Sequence, residues 1–142
     1  MQNHGVGGSG IKLIESQSGT FVTEDVVVLS GTNDNNKFSS RYREDYARRF
    51  VDAVAHLTTG RIFVISVLPR AFNGDRKDIN KDISEYNDLL EELFKQYPKV
   101  HFIDVYDLFM SGSTIESGFY SDGLHLNEVG YEILTENLRN AL

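Results

Sequence analysis

Two side chains able to move protons lie three residues apart in Ser121-Asp122-Gly123-Leu124-His125-Leu126-Asn127, near the C-terminus. In a tight turn, Asp122 and His125 can lie on one side of the chain. A carboxylate so placed fixes the tautomer of an imidazole and stabilises the imidazolium formed when the ring accepts a proton. The pattern alone equally describes an acid near a helix start and an incidental histidine. A second kind of chemistry is available at Asn33, just past a β-branched run, where an uncharged amide can donate N–H to an oxyanion. Asn is also common in turns, because its side chain mimics backbone. In the glycine-rich opening, Gly5, Gly7, Gly8 and Gly10 run into Ile11-Lys12-Leu13-Ile14-Glu15. A glycine loop feeding a helix N-terminus presents backbone N–H groups to an anion, here with Ser9 as cap. No compact ligand motif stands behind a metal site at Asp34, Asp122 and His125, so no metal or other cofactor is expected. His56, late in a helix, and His101, at a strand start, read as ordinary structural residues.

The elements that must position these groups follow from periodicity. Asp25-Val26-Val27-Val28-Leu29-Ser30 reads as a strand buried on both faces. A helix over residues 41–57 carries Tyr42, Tyr46, Phe50, Val54 and Leu57 on one face, with Gly60 as its stop. The second strand is 61–68, closed by Pro69, and 70–78 is a polar loop around Asn73-Gly74. The next helix presents Ile79, Ile83, Tyr86, Leu90, Leu93, Phe94 and Tyr97, and ends before Pro98. A third strand over 100–105 and a polar loop over 111–121 lead to a last helix. It begins near Glu128 with Asn127 as N-cap and turns Val129, Ile133, Leu134 and Leu138 to the core. Alternating strands and helices imply an α/β domain with a parallel sheet flanked by helices. In such sheets the site lies beyond the carboxyl ends of the strands, where Asn33 and His125 both fall.

The chain has 142 residues, 40% of them hydrophobic and 25% charged, which fits a single folded domain over 1–142. With 14 Lys and Arg against 21 Asp and Glu, the net charge of −7 argues against nucleic acid as a partner. Arg41, Arg43, Arg48 and Arg49 form the one basic cluster, which on a helix reads as a solvated face. The absence of cysteine removes disulfides, a thiol nucleophile and thiolate zinc. No apolar run approaches the roughly 20 residues that span a bilayer.

Taken together, the blocks resemble the SGNH (GDSL-type) hydrolase family. The family's third block is similar to Val26-Val27-Val28-Leu29-Ser30-Gly31-Thr32-Asn33-Asp34. Its last block is similar to Asp122-Gly123-Leu124-His125 with Leu126-Asn127-Glu128-Val129-Gly130-Tyr131, and its second to Asn3-His4-Gly5-Val6-Gly7-Gly8. The segment Ile65-Ser66-Val67-Leu68-Pro69-Arg70 and the final helix resemble in particular the SGNH-type esterase domains of animal retroelements. The resemblance implies a three-layer, flavodoxin-like α/β fold and hydrolysis of acyl esters through an acyl-serine. It makes His125 the general base, Asp122 its orienting acid, and the Asn33 amide and Gly8 N–H the oxyanion donors. Substrates would be esters of the acyl-lipid or acylated-carbohydrate class.

The family's first block, a Gly-Asp-Ser turn that carries the nucleophile, has no counterpart. Ser9, Ser30 and Ser66 match no nucleophile position. The resemblance therefore implies that the serine, with the first strand and the following helix, lies outside these 142 residues. A complementing chain, a swapped dimer or an upstream segment would then complete the sheet. The alternative reading is a catalytically inactive SGNH-like module that binds a partner.

Overall fold

The structure is a computed structural model, and it describes Glu15 and residues 24–29 and 38–142. Three strands, β1 (Val26–Val28), β2 (Ile62–Ile65) and β3 (Val100–Ile103), form a parallel sheet in the order β1-β2-β3. The register sets Val27 beside Phe63 and Val64 beside Phe102. Helices α1 (Arg43–Ala55) and α2 (Ile79–Phe94) connect the strands, and α3 (Glu128–Ala141) closes the chain.

Side chains alternate across a strand, so the sheet sorts its apolar residues into two cores. On one face Val28, Ile62, Val64 and Val100 pack against α1 and α2 through Phe50, Val54, Ile83, Tyr86 and Leu90. On the other, Val27, Ile65 and Val105 pack with Phe109, Tyr120, Leu126 and Leu134. This is the three-layer arrangement expected from the sequence. Phe38 is fully buried and meets the Tyr86 ring edge-on at 5.1 Å, locking the start of α1 to α2.

Several bounds differ from the sequence reading for local reasons. Helix α1 stops at Ala55, short of Gly60, because Leu57 turns inward while the Thr58 hydroxyl donates to Glu24 O at 2.7 Å. In β1, Val28 is buried but Val26 and Val27 only partly so. Val129 is exposed rather than core-facing: Gly130 occupies the contact, since a Cβ there would lie 2.3 Å from Phe119 O. The segment 111–121 is more structured than a polar loop. It takes part in a short antiparallel hairpin, β4 (Met110–Ser111) with β5 (Thr114–Ile115), followed by a 3-10 turn at Ser117–Phe119.

Strand β2 ends at Ile65, three residues earlier than expected, and side chains hold the chain beyond it. The Ser66 hydroxyl, fully buried, accepts from Val105 N at 2.9 Å. Asn87 donates to Val67 O and accepts from Val67 N, both at 2.8 Å. Asn80 does the same for Arg70, with both bonds at 2.7 Å. Asn80 and Asn87 lie seven residues apart on α2, a rise of about 10.5 Å, and the peptides they clamp lie three residues apart.

Among the arginines of the basic cluster, three are paired with acids. Arg43 bridges α1 to Asp82 and Glu85 of α2, Arg48 pairs with Glu44, and Arg49 pairs with Glu15.

Candidate active site

Residues 120–127 form a closed loop. Tyr120 and Leu126 make an antiparallel bridge, and Ser121 N donates to His125 O at 2.9 Å. Within the loop Asp122 does two jobs. Its Oδ1 accepts from the backbone N–H of Leu124 at 2.9 Å and of His125 at 2.6 Å, an Asx-type turn. Its Oδ2 lies 2.7 Å from His125 Nδ1. Gly123 sits at φ +82°, a conformation costly for residues with a side chain.

The electrostatics follow from that geometry. The Asp122 carboxyl is lowered from its ordinary 3.8 to about 2. The His125 backbone N–H contributes most, followed by the His125 ring and the Leu124 N–H. An ionised Asp122 accepts a hydrogen bond from Nδ1–H, which leaves Nε2 as the acceptor nitrogen of the neutral ring. The pair stands in the open, with side-chain exposures of 65% for His125 and 41% for Asp122.

Beneath the pair the loop is tied on two sides. Asn127, the N-cap of α3, accepts from Gly130 N at 2.9 Å and donates to Gly118 O at 2.7 Å. Across the loop, Ala71 N donates to Gly123 O at 2.8 Å, and a Cβ on Gly123 would meet Ala71 O at 2.3 Å. The Tyr120 hydroxyl donates to Pro69 O at 2.5 Å. Burial pushes that phenol well above its usual range, so it remains a donor.

The structure thus brings together Asp122 and His125. Gly8 and Asn33, like Asp34, His4 and Ser9, lie outside the described residues. His56 is exposed on α1's C-terminal end, its ring 2.6 Å from Asp52 O, and His101 stacks on Phe63 at 5.1 Å. Among the described residues no three His, Asp or Glu side chains group as a metal site, and no helix is long and apolar enough to cross a membrane. No serine hydroxyl among the described residues hydrogen-bonds the His125 ring. Ser121 Oγ donates instead to the His125 backbone carbonyl at 3.2 Å, and Ser66 is fully buried. Sequence reasoning did not single out Tyr120, Asn80 or Gly123, whose contacts are made to backbone and leave no spacing pattern.

A parallel three-layer α/β/α fold with an Asp–x–x–His loop ahead of its last helix defines a class of hydrolase. The sequence model of the GDSL-like Lipase/Acylhydrolase family matches residues 2–133, and the chain belongs to that family. Solved structures agree. A protein from Streptococcus pneumonia described as a platelet activating factor is 25% identical with a TM-score of 0.66, over 83% of this chain and 59% of that one. A GDSL-like lipase from Bacteroides thetaiotaomicron is 26% identical, TM-score 0.65, over 81% and 60%. A Bacteroides fragilis protein described as an acylhydrolase is 26% identical, TM-score 0.67, over 82% and 60%. The chain therefore spans about 60% of these proteins. No curated protein matches it.

Proposed function

We propose that this chain carries the acid–base and oxyanion portion of a serine esterase that hydrolyses acyl esters, of the acyl-lipid or acylated-carbohydrate class. The observation that carries the reading is the 2.7 Å contact between Asp122 Oδ2 and His125 Nδ1, which supports Nε2 as the base. In the reaction, a serine hydroxyl attacks the ester carbonyl and Nε2 takes its proton, while Asp122 stabilises the resulting imidazolium. The Asn33 amide and the Gly8 N–H donate to the oxyanion, each worth about 3–4 kcal/mol in such sites. His125 then protonates the departing alcohol and, in the second half, activates the water that releases the acid. The loops over 70–78 and 111–121 border the substrate, and Phe72, exposed beside Gly123, gives the border an apolar side chain.

The nucleophilic serine comes from a segment outside these 142 residues. Engagement of Ser66 inside the fold and of Ser121 with a backbone carbonyl supports this. Treating the 142-residue chain with a fluorophosphonate and measuring its mass is the direct test. No adduct is expected, and an adduct on any serine of the chain overturns the assignment. In a protein extended or complemented by the nucleophile segment, short acyl esters are hydrolysed and His125→Ala lowers kcat by about 10²–10⁴-fold. Hydrolysis unchanged by His125→Ala shows that the base lies elsewhere.

A further inference from the structure

We propose that the buried ion pair Arg70–Asp75 is a positioning device for the site: it fixes residues 69–72 against Gly123 and so sets the turn that holds Asp122 and His125. The inference rests on the reading of Asp122 and His125 as the acid–base pair. Arg70 meets Asp75 through two contacts, Nε to Oδ2 at 2.9 Å and Nη2 to Oδ1 at 2.8 Å. Their side chains are only 7% and 8% exposed. Asp75 Oδ2 also accepts from Phe72 N at 2.8 Å, and Asp75 N donates to Phe72 O at 3.0 Å. Burying two charges brings little net stability compared with an apolar pair of the same volume. What a planar guanidinium on a carboxylate does supply is direction, because both hydrogen bonds are satisfied in one geometry.

The backbone of residues 69–72 shows what is being directed. Pro69 O accepts from Tyr120, Arg70 N and O are clamped by Asn80, and Phe72 N and O are held by Asp75. Ala71, in the middle, spends its N–H on Gly123 O at 2.8 Å. That contact involves only main-chain atoms, and the approach of Ala71 O leaves no room for a side chain at 123. Gly123 is flanked by Asp122, whose carboxylate holds Leu124 and His125. A shift of Ala71 therefore passes directly into the turn, with no flexible side chain between to absorb it. Errors of about 1 Å in such placement cost on the order of 10²-fold in rate.

The test uses the full 142-residue chain, with Arg70→Lys and Asp75→Asn variants and Arg61→Lys as a remote ion-pair control. Carbon-detected NMR follows the titration of the Asp122 carboxyl, and hydrogen exchange follows the His125 amide. In both variants the Asp122 midpoint is expected to rise toward the ordinary carboxylate value and His125 amide protection to fall at least tenfold. The amides of Ile62–Ile65 should keep their protection, and the control should match wild type. Folded variants with Asp122 and His125 unchanged overturn the inference. Should Asp75→Asn fail to fold, the same two readouts decide the matter in Arg70→Lys, which keeps the buried cation. Failure of the catalytic reading appears separately, as hydrolysis by the extended or complemented protein that survives His125→Ala while the NMR coupling stands.

Discussion

Asp122 spends its two oxygens on different tasks, one on the backbone of the turn and one on the ring of His125. Its charge is therefore tied both to the shape of the loop and to the ring of His125. Because the folded carboxyl titrates near 2 and the unfolded one near 3.8, its contribution to stability is present above about pH 4. That contribution is lost as pH falls through 4 toward 2. Asp122→Asn should remove this part of the acid sensitivity: urea denaturation at pH 5, 4, 3 and 2 should show a shallower decline than wild type. An equal decline in both chains argues that the carboxylate is not held as described. The asparagine can still accept from the two backbone N–H groups, so the loop should persist in the variant. At Nδ1, by contrast, the amide can present a donor and favour the wrong tautomer.

Helix α2 is the element that connects core to site. One face supplies Ile83, Tyr86 and Leu90 to the interior, while Asn80 and Asn87 hold the segment that leaves β2. Replacing Asn87 by Ala strands a buried N–H and a buried C=O on Val67, a loss of about 3 kcal/mol. In a domain of this size that corresponds to a drop in Tm of roughly 10 °C, measurable by calorimetry. A drop under 2 °C means that the Val67 groups find other partners. The apolar face of α2 was legible from Ile79 through Phe94, because burial repeats with the helical period. Its two asparagines were not, since an amide that reads a peptide group repeats with nothing. The hairpin at 110–115 escaped for a different reason. Strands of two residues are too short to show alternation, and the Ser111-Gly112-Ser113 tip resembles any polar turn. Asp122 and His125 were legible as a pair, and Asn127 as a cap, because both are contacts within a few residues along the chain. Arg70–Asp75 lay in plain view as two charges in a polar loop, but nothing local indicates that they are buried.

For the molecule as a whole, the two cores share one sheet, with β2 contributing Ile62 and Val64 to one and Ile65 to the other. We propose that 1–142 behaves as a single domain, and this sharing is the physical reason: one layer cannot be lost without exposing the apolar underside of the strand it packs on. Denaturation followed by NMR at Val54, on the α1 side, and Leu134, on the α3 side, should give coincident midpoints. Midpoints that differ by more than the error would identify two independently melting layers. The site sits where the layers meet, since Pro69 and Ala71 continue from β2 while Tyr120 and Gly123 belong to the loop ahead of α3. Its geometry therefore depends on both cores being intact.

The clamps at Val67 and Arg70 carry one more consequence. In effect α2 behaves like a receptor groove that has permanently captured a peptide of its own chain. Capture of this kind is indifferent to the captured sequence, because Asn80 and Asn87 touch main-chain atoms and not side chains. The course of the chain beyond β2 is thus encoded two helical turns apart on a helix, while Val67 keeps its side chain for the core and Arg70 keeps its own for Asp75. A side chain altered along that course changes packing or pairing there without removing the main-chain bonds that set its direction.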